Sequence, residues 1–208
     1  MNFAYKISKF NRNRKWKIFL DLIQPKAAEK ILDLGFSDQE YSEFDNYLEK
    51  HYLYPENIIA LSVEEPNEFK NRYPKVKALR YNGGKLPFSD KRFDIAWSNA
   101  VIEHVGSEQE QVIFLKELKR AANRVFITTP NRFFPIEVHT RIPILHWFPK
   151  RIFDFIIRKT NKKWATDGYM HLLSLSEIKK ILAIAKIENY KIIKNKLFFF
   201  TLDYVIIF

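Results

Sequence analysis

Residues 30–44 read KILDLGFSDQEYSEF, and the parsing of this stretch decides the fold. A short apolar run closes on Asp33-Leu34-Gly35, as a strand does when it turns at a glycine towards a helix. Where a dinucleotide-type turn carries two further glycines, this chain has Phe36, Ser37 and Asp38. Ser37 and Glu40 have capping-box spacing, so a helix is expected at once, with Tyr41, Phe44 and Leu48 on its apolar face. A Cβ in so tight a turn either pushes the backbone away from a ligand or demands a positive φ.

Working outward, further short apolar runs follow: NIIALSV (57–63), VKALRY (76–81), FDIAWSN (93–99) and RVFITT (124–129). Each is strand-length and nearly continuous rather than alternating, which suits strands covered on both faces. Between them lie helical patterns. Ser107 with Glu110 precedes Val112, Leu115, Leu118 and Ala122, and Ser174 with Glu177 precedes Ile178, Ile181, Leu182 and Ala185. NYKIIKNKL and FTLDYVIIF follow one another closely and are expected to pair antiparallel at one edge. The expected fold is therefore α/β: a mostly parallel seven-stranded sheet, an antiparallel C-terminal edge hairpin, and helices on both faces.

Two regions stand outside this alternation. Residues 1–28 read as a basic amphipathic helical extension around Trp16, Ile18, Phe19 and Leu22. Residues 29–208 form the main domain, with a lid-like insertion at 130–165 that is Pro-rich in its first half. Its second half sets Ile152, Phe153, Ile156 and Ile157 on one helical face, against Lys150, Arg151, Arg158 and Lys159.

Composition bounds the partners. The 208 residues carry 35 Lys+Arg against 24 Asp+Glu, a net +11, which favours anionic ligands or surfaces, although a solvated basic surface accounts for the charge equally well. With no Cys, disulfides and thiolate metal sites are excluded. The N-terminal stretch lacks an uninterrupted apolar core of signal-peptide length, so a cytoplasmic location is expected. The run LFFFTLDYVIIF (197–208) is too short to span a bilayer and is interrupted by Asp203; it reads as a buried strand.

In a parallel sheet, ligands sit beyond the carboxyl ends of the strands. The first such end offers Asp33 and Gly35; the second, Glu64, an acid able to accept from ribose hydroxyls. The third offers Asn82 and Gly83, where an amide and a glycine turn suit an adenine edge, although a plain Asn-Gly turn reads the same way. The fourth ends at Ser98-Asn99 and the fifth at Thr129-Pro130-Asn131.

The series ILDLG, VEE, YNGGKLPFSDKRFDIAWSNAVIEHV and FITTPN resembles the class I S-adenosylmethionine-dependent methyltransferases of the small-molecule type-11 family, over about residues 29–208. LPFSDKRFDIAWSNAVIEHV (86–105) is its most specific block. The resemblance implies a Rossmann-like fold with S-adenosylmethionine as cofactor. It implies that Asp33 and Gly35 line the methionine end, Glu64 the ribose, Asn82 and Gly83 the adenine, and Ser98 and Asn99 the floor near the sulfonium. Two departures stand out: Phe36-Ser37 in place of the usual glycines, and Asn82 in place of the usual Asp, which keeps an acceptor and loses a charge.

The expected chemistry is in-line methyl transfer to a small-molecule or lipid-linked acceptor, with positioning supplying much of the acceleration. His104 and His139 are candidate bases for a hydroxyl acceptor, each also readable as a structural histidine. Asn131, Arg132 and Glu137, after the fifth strand, are candidate acceptor contacts, and 141–159 is a candidate for peripheral membrane contact. A Glu-x-x-Glu-His arrangement would resemble magnesium-linked O-methyltransferases. Ala100 replaces the first acid, which leaves Glu103, His104 and His139 short of oxygen ligands, and no metal is expected. The competing readings are a catalytically silent relative acting as a scaffold, favoured by the altered turn, and an RNA methyltransferase, favoured only by charge and lacking a specific nucleic-acid motif.

Overall fold

The computed structural model describes residues 3–136, 142, 144–148, 150–162, 166 and 171–208. Every expected strand forms: β1 (Ile31–Leu34), β2 (Ile58–Ser62), β3 (Lys77–Arg80), β4 (Phe93–Asn99), β5 (Ala122–Pro130), β6 (Lys191–Leu197) and β7 (Phe200–Ile207). They make one sheet in the order β3-β2-β1-β4-β5-β7-β6. The crossover of order falls at β1, flanked by β2 and β4, both parallel to it, with Asp33 opposite Ala60 on one side and Trp97 on the other. Strand β7 runs antiparallel to β5: Val125 and Phe208 exchange backbone hydrogen bonds of 2.7 and 3.2 Å, and Asn131 N–H donates to Leu202 O at 3.0 Å.

Around the sheet are α1 (Phe3–Ile23), α2 (Tyr47–His51), α3 (Asn67–Arg72), α4 (Glu108–Ala121), α5 (Lys150–Ile157) and α6 (Leu175–Ile184). The chain divides into two compact units: Met1–Asn99 with Lys116–Ile127 and Ile207–Phe208, and Ala100–Leu115 with Thr128–Ile206.

In the first unit the core is built on the sheet. Ile31, Leu32, Ala60, Leu61, Ile95 and Ala96 are fully buried, as near-continuous apolar strands require. Helix α1 buries Lys15, Phe19 and Ile23, one residue every four, whereas Leu22 is exposed. Of the expected apolar residues Trp16, Ile18, Phe19 and Leu22, Phe19 is thus at the centre of the buried stripe and Leu22 outside it, because the aromatic ring system of the sheet selects that side. Phe19 meets Trp97 edge-on at 4.8 Å and Phe126 at 5.3 Å, while Trp97 and Phe126 stack at 4.9 Å and 6°. Such pairs contribute about 0.5–1.5 kcal/mol each beyond their buried area. Tyr47 Oη donates to Asn13 Oδ1 at 2.6 Å and ties α1 to α2.

In the second unit, Ser174 starts α6 with a complete capping box: Glu177 N–H donates to Ser174 Oγ, and Ser174 N–H donates to Glu177 Oε2 at 2.8 Å. Ser107 and Glu110 form the same reciprocal pair ahead of α4. A smaller core gathers Leu145, Phe153 and Ile157, with Ile142 packed against it. Of the four residues expected on one helical face, Phe153 and Ile157 are buried while Ile152 and Ile156 are 45% and 39% exposed, because the small core takes only one side of α5. No helix among the described residues is long and apolar enough to cross a membrane.

Candidate functional site

Because β3, β2, β1 and β4 are neighbours and parallel, their carboxyl ends share one edge of the first unit. Asp33, Gly35, Glu64, Asn82, Gly83, Ser98 and Asn99 all fall there. The turn after β1 differs from the expectation. Ser37 does not cap a helix; α2 begins only at Tyr47, and Asn46 closes the turn. The Asn46 amide accepts from Ser37 N–H at 2.9 Å and donates to Ser37 O at 2.8 Å. Glu40, the intended capping partner, instead accepts from Tyr73 Oη and from Asn46 Nδ2 and pairs with Lys50 at 2.9 Å. Burial pushes the Glu40 carboxyl up, but these bonds outweigh it and hold it below its ordinary range.

Phe36 solves the steric problem of the missing glycine by leaving the turn. Its side chain is buried, 4.4 Å from the ring of Phe69, and of Gly35–Asp38 only Gly35 takes a positive φ, of 111°. Gly35 N–H is held by Leu61 O at 2.8 Å. Asp38 N–H donates to Glu64 Oε2 at 2.7 Å, so the exposed carboxylate after β2 is already positioned by the first turn. Gly83 and Gly84 have φ of 80° and 71°, and a Cβ on either would meet nothing within 4 Å: they are glycines for backbone conformation and border open space. Asn82, beside them, is exposed.

Asp33 is buried at the end of β1, and burial raises its carboxyl well above the ordinary value, reinforced by the neighbouring Glu49 of α2. Burial raises Glu49 as well. The two form a carboxyl pair in which a hydrogen bond requires a proton on one partner. Ser98 is wholly buried and its Oγ donates to Leu34 O at 2.8 Å, so the hydroxyl expected to floor a pocket serves to link β4 to β1. Asn99 is half-buried at the strand end, and the next residue, Ala100, takes the left-handed conformation at φ 57°, with its N–H on Thr128 O.

The second unit carries a pocket of about 270 Å³. Its polar walls are Gln111, Arg132, His146, His171 and Glu177, and Phe148, Phe153, Leu173 and Ile181 supply apolar surface. Arg132 Nη1 reaches Glu177 Oε1 at 3.1 Å. Burial pushes the Glu177 carboxyl up, but the Ser174 hydrogen bonds and the Arg132 guanidinium hold it below the ordinary range. Asn131, expected to touch an acceptor, is held as a structural anchor. Its Nδ2 donates to Thr201 O at 2.8 Å, and its Oδ1 accepts from Tyr204 Oη and Phe133 N–H, both at 3.1 Å.

His104 ends the short 3₁₀ turn Ile102–His104 and is half-buried. Beside it, Glu103 is fully buried. Its Oε2 accepts from Thr129 Oγ1 at 3.0 Å, its Oε1 has no partner among the described residues, and its carbonyl accepts from His171 N–H at 2.7 Å. Glu137 and His139 lie outside the described residues, and among those described no three metal-ligating side chains converge. His146 and His171 were missed in the sequence because neither lies at a strand end. The Ser174 cap could have pointed to His171, since the residues just before a helix after β5 face the same end as the strand terminus.

Part of the sequence, and the fold as a whole, resemble known methyltransferases. Residues 32–124 match a family model described as a methyltransferase domain, of type 11. A probable S-adenosylmethionine-dependent methyltransferase of Mycobacterium tuberculosis is 29% identical over 77 residues, which cover 36% of this chain and 28% of the relative. The matched stretch thus spans little more than a quarter of that curated protein. A SAM-dependent methyltransferase from Aquifex aeolicus shares the fold with a TM-score of 0.59 at 16% identity, covering 100% of this chain and 98% of its own. One from Methanosarcina mazei does so with a TM-score of 0.57 at 17% identity, over 88% and 92% of the two chains.

Proposed function

We propose that this chain, whose residues 32–124 match a methyltransferase-domain family model, is an S-adenosylmethionine-dependent methyltransferase that transfers a methyl group to a small-molecule or lipid-linked acceptor. The observation that carries the acceptor class is the second unit's pocket. At about 270 Å³ it is close to the lower end of small-ligand sites, and it sets a guanidinium and two imidazoles against aromatic walls. That chemistry suits a compact acceptor, or the head of a longer one, that carries a hydroxyl or an anionic group.

The donor set of the first unit fits the cofactor chemically. Asp33, at the end of β1, would turn its carboxyl to a cationic amino-acid end whose charge would offset the burial that raises it, and Glu64 keeps Oε1 uncommitted among the described residues for a ribose hydroxyl. Asn82 and the open space at Gly83-Gly84 suit an adenine edge. Bound there, S-adenosylmethionine supplies an electrophilic methyl group on a sulfonium. The protein's part is positioning and proton management. Arg132, itself oriented by Glu177, would hold an anionic or hydroxyl group of the acceptor. A histidine would take the acceptor's proton: His171 lines the pocket, and His104 and His139 remain candidates for the same role.

Calorimetric titration with S-adenosylmethionine and S-adenosylhomocysteine tests the reading. Micromolar binding that is lost in Asp33→Ala and Glu64→Ala, with the fold retained, is the expected result. No binding at millimolar ligand overturns it and leaves the scaffold reading in its place.

A further inference from the structure

The second unit exposes aromatic surface where a water-soluble fold has no use for it. The turn between β6 and β7 is made of Phe198 and Phe199, followed by Phe200, and these are 80%, 95% and 54% exposed. Two-residue hairpin turns favour Asn-Gly or Asp-Gly, because their geometry asks for positive φ. Here Phe198 itself is held at φ 52°. Local turn chemistry and solubility both argue against phenylalanine at this tip, and a fold breaks such rules chiefly at functional positions.

The same unit carries a second apolar surface. On α5, Ile152, Phe155 and Ile156 are 45%, 62% and 39% exposed, at a spacing that makes them one stripe, with Lys159 next along it. Lys159 Nζ lies 4.1 Å above the Phe155 ring. Both surfaces adjoin segments tied to the residues just past β5. Asn131, just past β5, binds Thr201 O beside the phenylalanine turn, while the loop it opens accepts Ile144 N–H on Pro135 O at 2.8 Å and meets His146 Nε2 with Phe134 O at 2.9 Å. Residues 144–148 lead directly into α5.

Cations flank both surfaces: Lys194 and Lys196 on β6, Arg151 on α5, and Arg158 and Lys159 in the turn after α5, all exposed. Lysine is depleted in the cores of protein–protein interfaces, whereas aromatic tips beside lysine and arginine match a bilayer, with rings at the acyl boundary and cations among phosphates. We propose that the second unit docks on an anionic phospholipid surface through the Phe198–Phe200 turn and the outer stripe of α5. No helix among the described residues can cross the bilayer, so the contact is peripheral.

Flotation with phosphatidylcholine vesicles, with and without phosphatidylglycerol, tests this independently of methyl transfer. The protein is expected to float with the anionic vesicles, less at high salt, and not with phosphatidylcholine alone. Phe199→Ser and Phe155→Ser should each lower the partition coefficient about tenfold, leaving the melting midpoint and S-adenosylmethionine affinity unchanged. Absence of flotation overturns the proposal. So does flotation that salt abolishes but neither variant alters, since charge alone would then explain it. Self-association lost in the same variants, without vesicle binding, would make a second copy of this chain the occupant and would also overturn it.

Discussion

The turn after β1 and the segment after β5 begin alike, each at the end of a central strand, and are finished in opposite ways. After β1 the protein fills the space with its own groups: Phe36 goes into the core against Phe69, Ser37 is held by Asn46, and the Asp38 N–H is held by Glu64. After β5 it leaves a pocket of about 270 Å³ whose polar walls are held in place but face open space. The lesson is that a motif glycine can be replaced without loss of the turn if the new side chain has an interior to enter. The cost is that backbone N–H groups otherwise open to a ligand acquire partners within the protein.

Stability should separate the two regions most sharply. Phe36→Ala removes a buried ring, and a loss of about 3–5 kcal/mol is expected in urea denaturation. A loss under 1 kcal/mol would mean that Phe36 is not what holds the turn. Next comes the carboxyl pair beneath the same turn. Asp33 and Glu49 both have raised folded-state values, so the native state holds protons that the unfolded chain has released. The pair's own contribution to stability should therefore be fullest below the ordinary carboxyl range and be lost as pH rises through the raised values. Glu49→Gln should flatten that fall, read as the pH dependence of the urea midpoint between pH 4 and 8; an unchanged slope would rule the pair out as its source.

On the other side of the comparison the effects are smaller in stability and larger in function. Ser174→Ala takes away the cap of α6 and should cost about 1 kcal/mol. Arg132→Ala breaks a pair that is more than a third exposed on both partners, so its stability cost should stay below about 1 kcal/mol. Its acceptor KM should nevertheless rise about tenfold, provided that Arg132 holds the acceptor's polar group. A change in neither quantity would remove Arg132 from the pocket's working parts.

The strands were legible because burial on both faces writes a continuous apolar run, and FDIAWSN gives β4 residue for residue. Helix starts were legible only where nothing distant competed. Ser107 and Ser174 keep their acids three residues on, whereas Glu40 is drawn to Tyr73, 33 positions away, and Ser37 to Asn46. The same local pattern therefore gave two helices and one irregular turn. LFFFTLDYVIIF misled for a related reason. An apolar run predicts burial for a strand, but Phe198 and Phe199 are where the chain reverses, and no sheet neighbour reaches them. Of the site, the strand-end residues could be located in the sequence. The engagement of Ser98 and Asn131 could not, because their partners lie 64 and 70–73 positions away.

That last separation carries a consequence for how the protein comes together. Asn131 sets the path of the loop that opens with Arg132, and it takes its orientation from Thr201 and Tyr204 of β7, a strand that lies between β5 and β6. Until β7 has entered the sheet, the Asn131 amide has no such template and the pocket wall has no fixed course. Closing so long a loop is slow, which places pocket formation among the late events of folding. In the folded protein the same dependence runs in reverse: a ligand in the pocket should retard amide exchange along β7, so that occupancy at one place is recorded as rigidity at another.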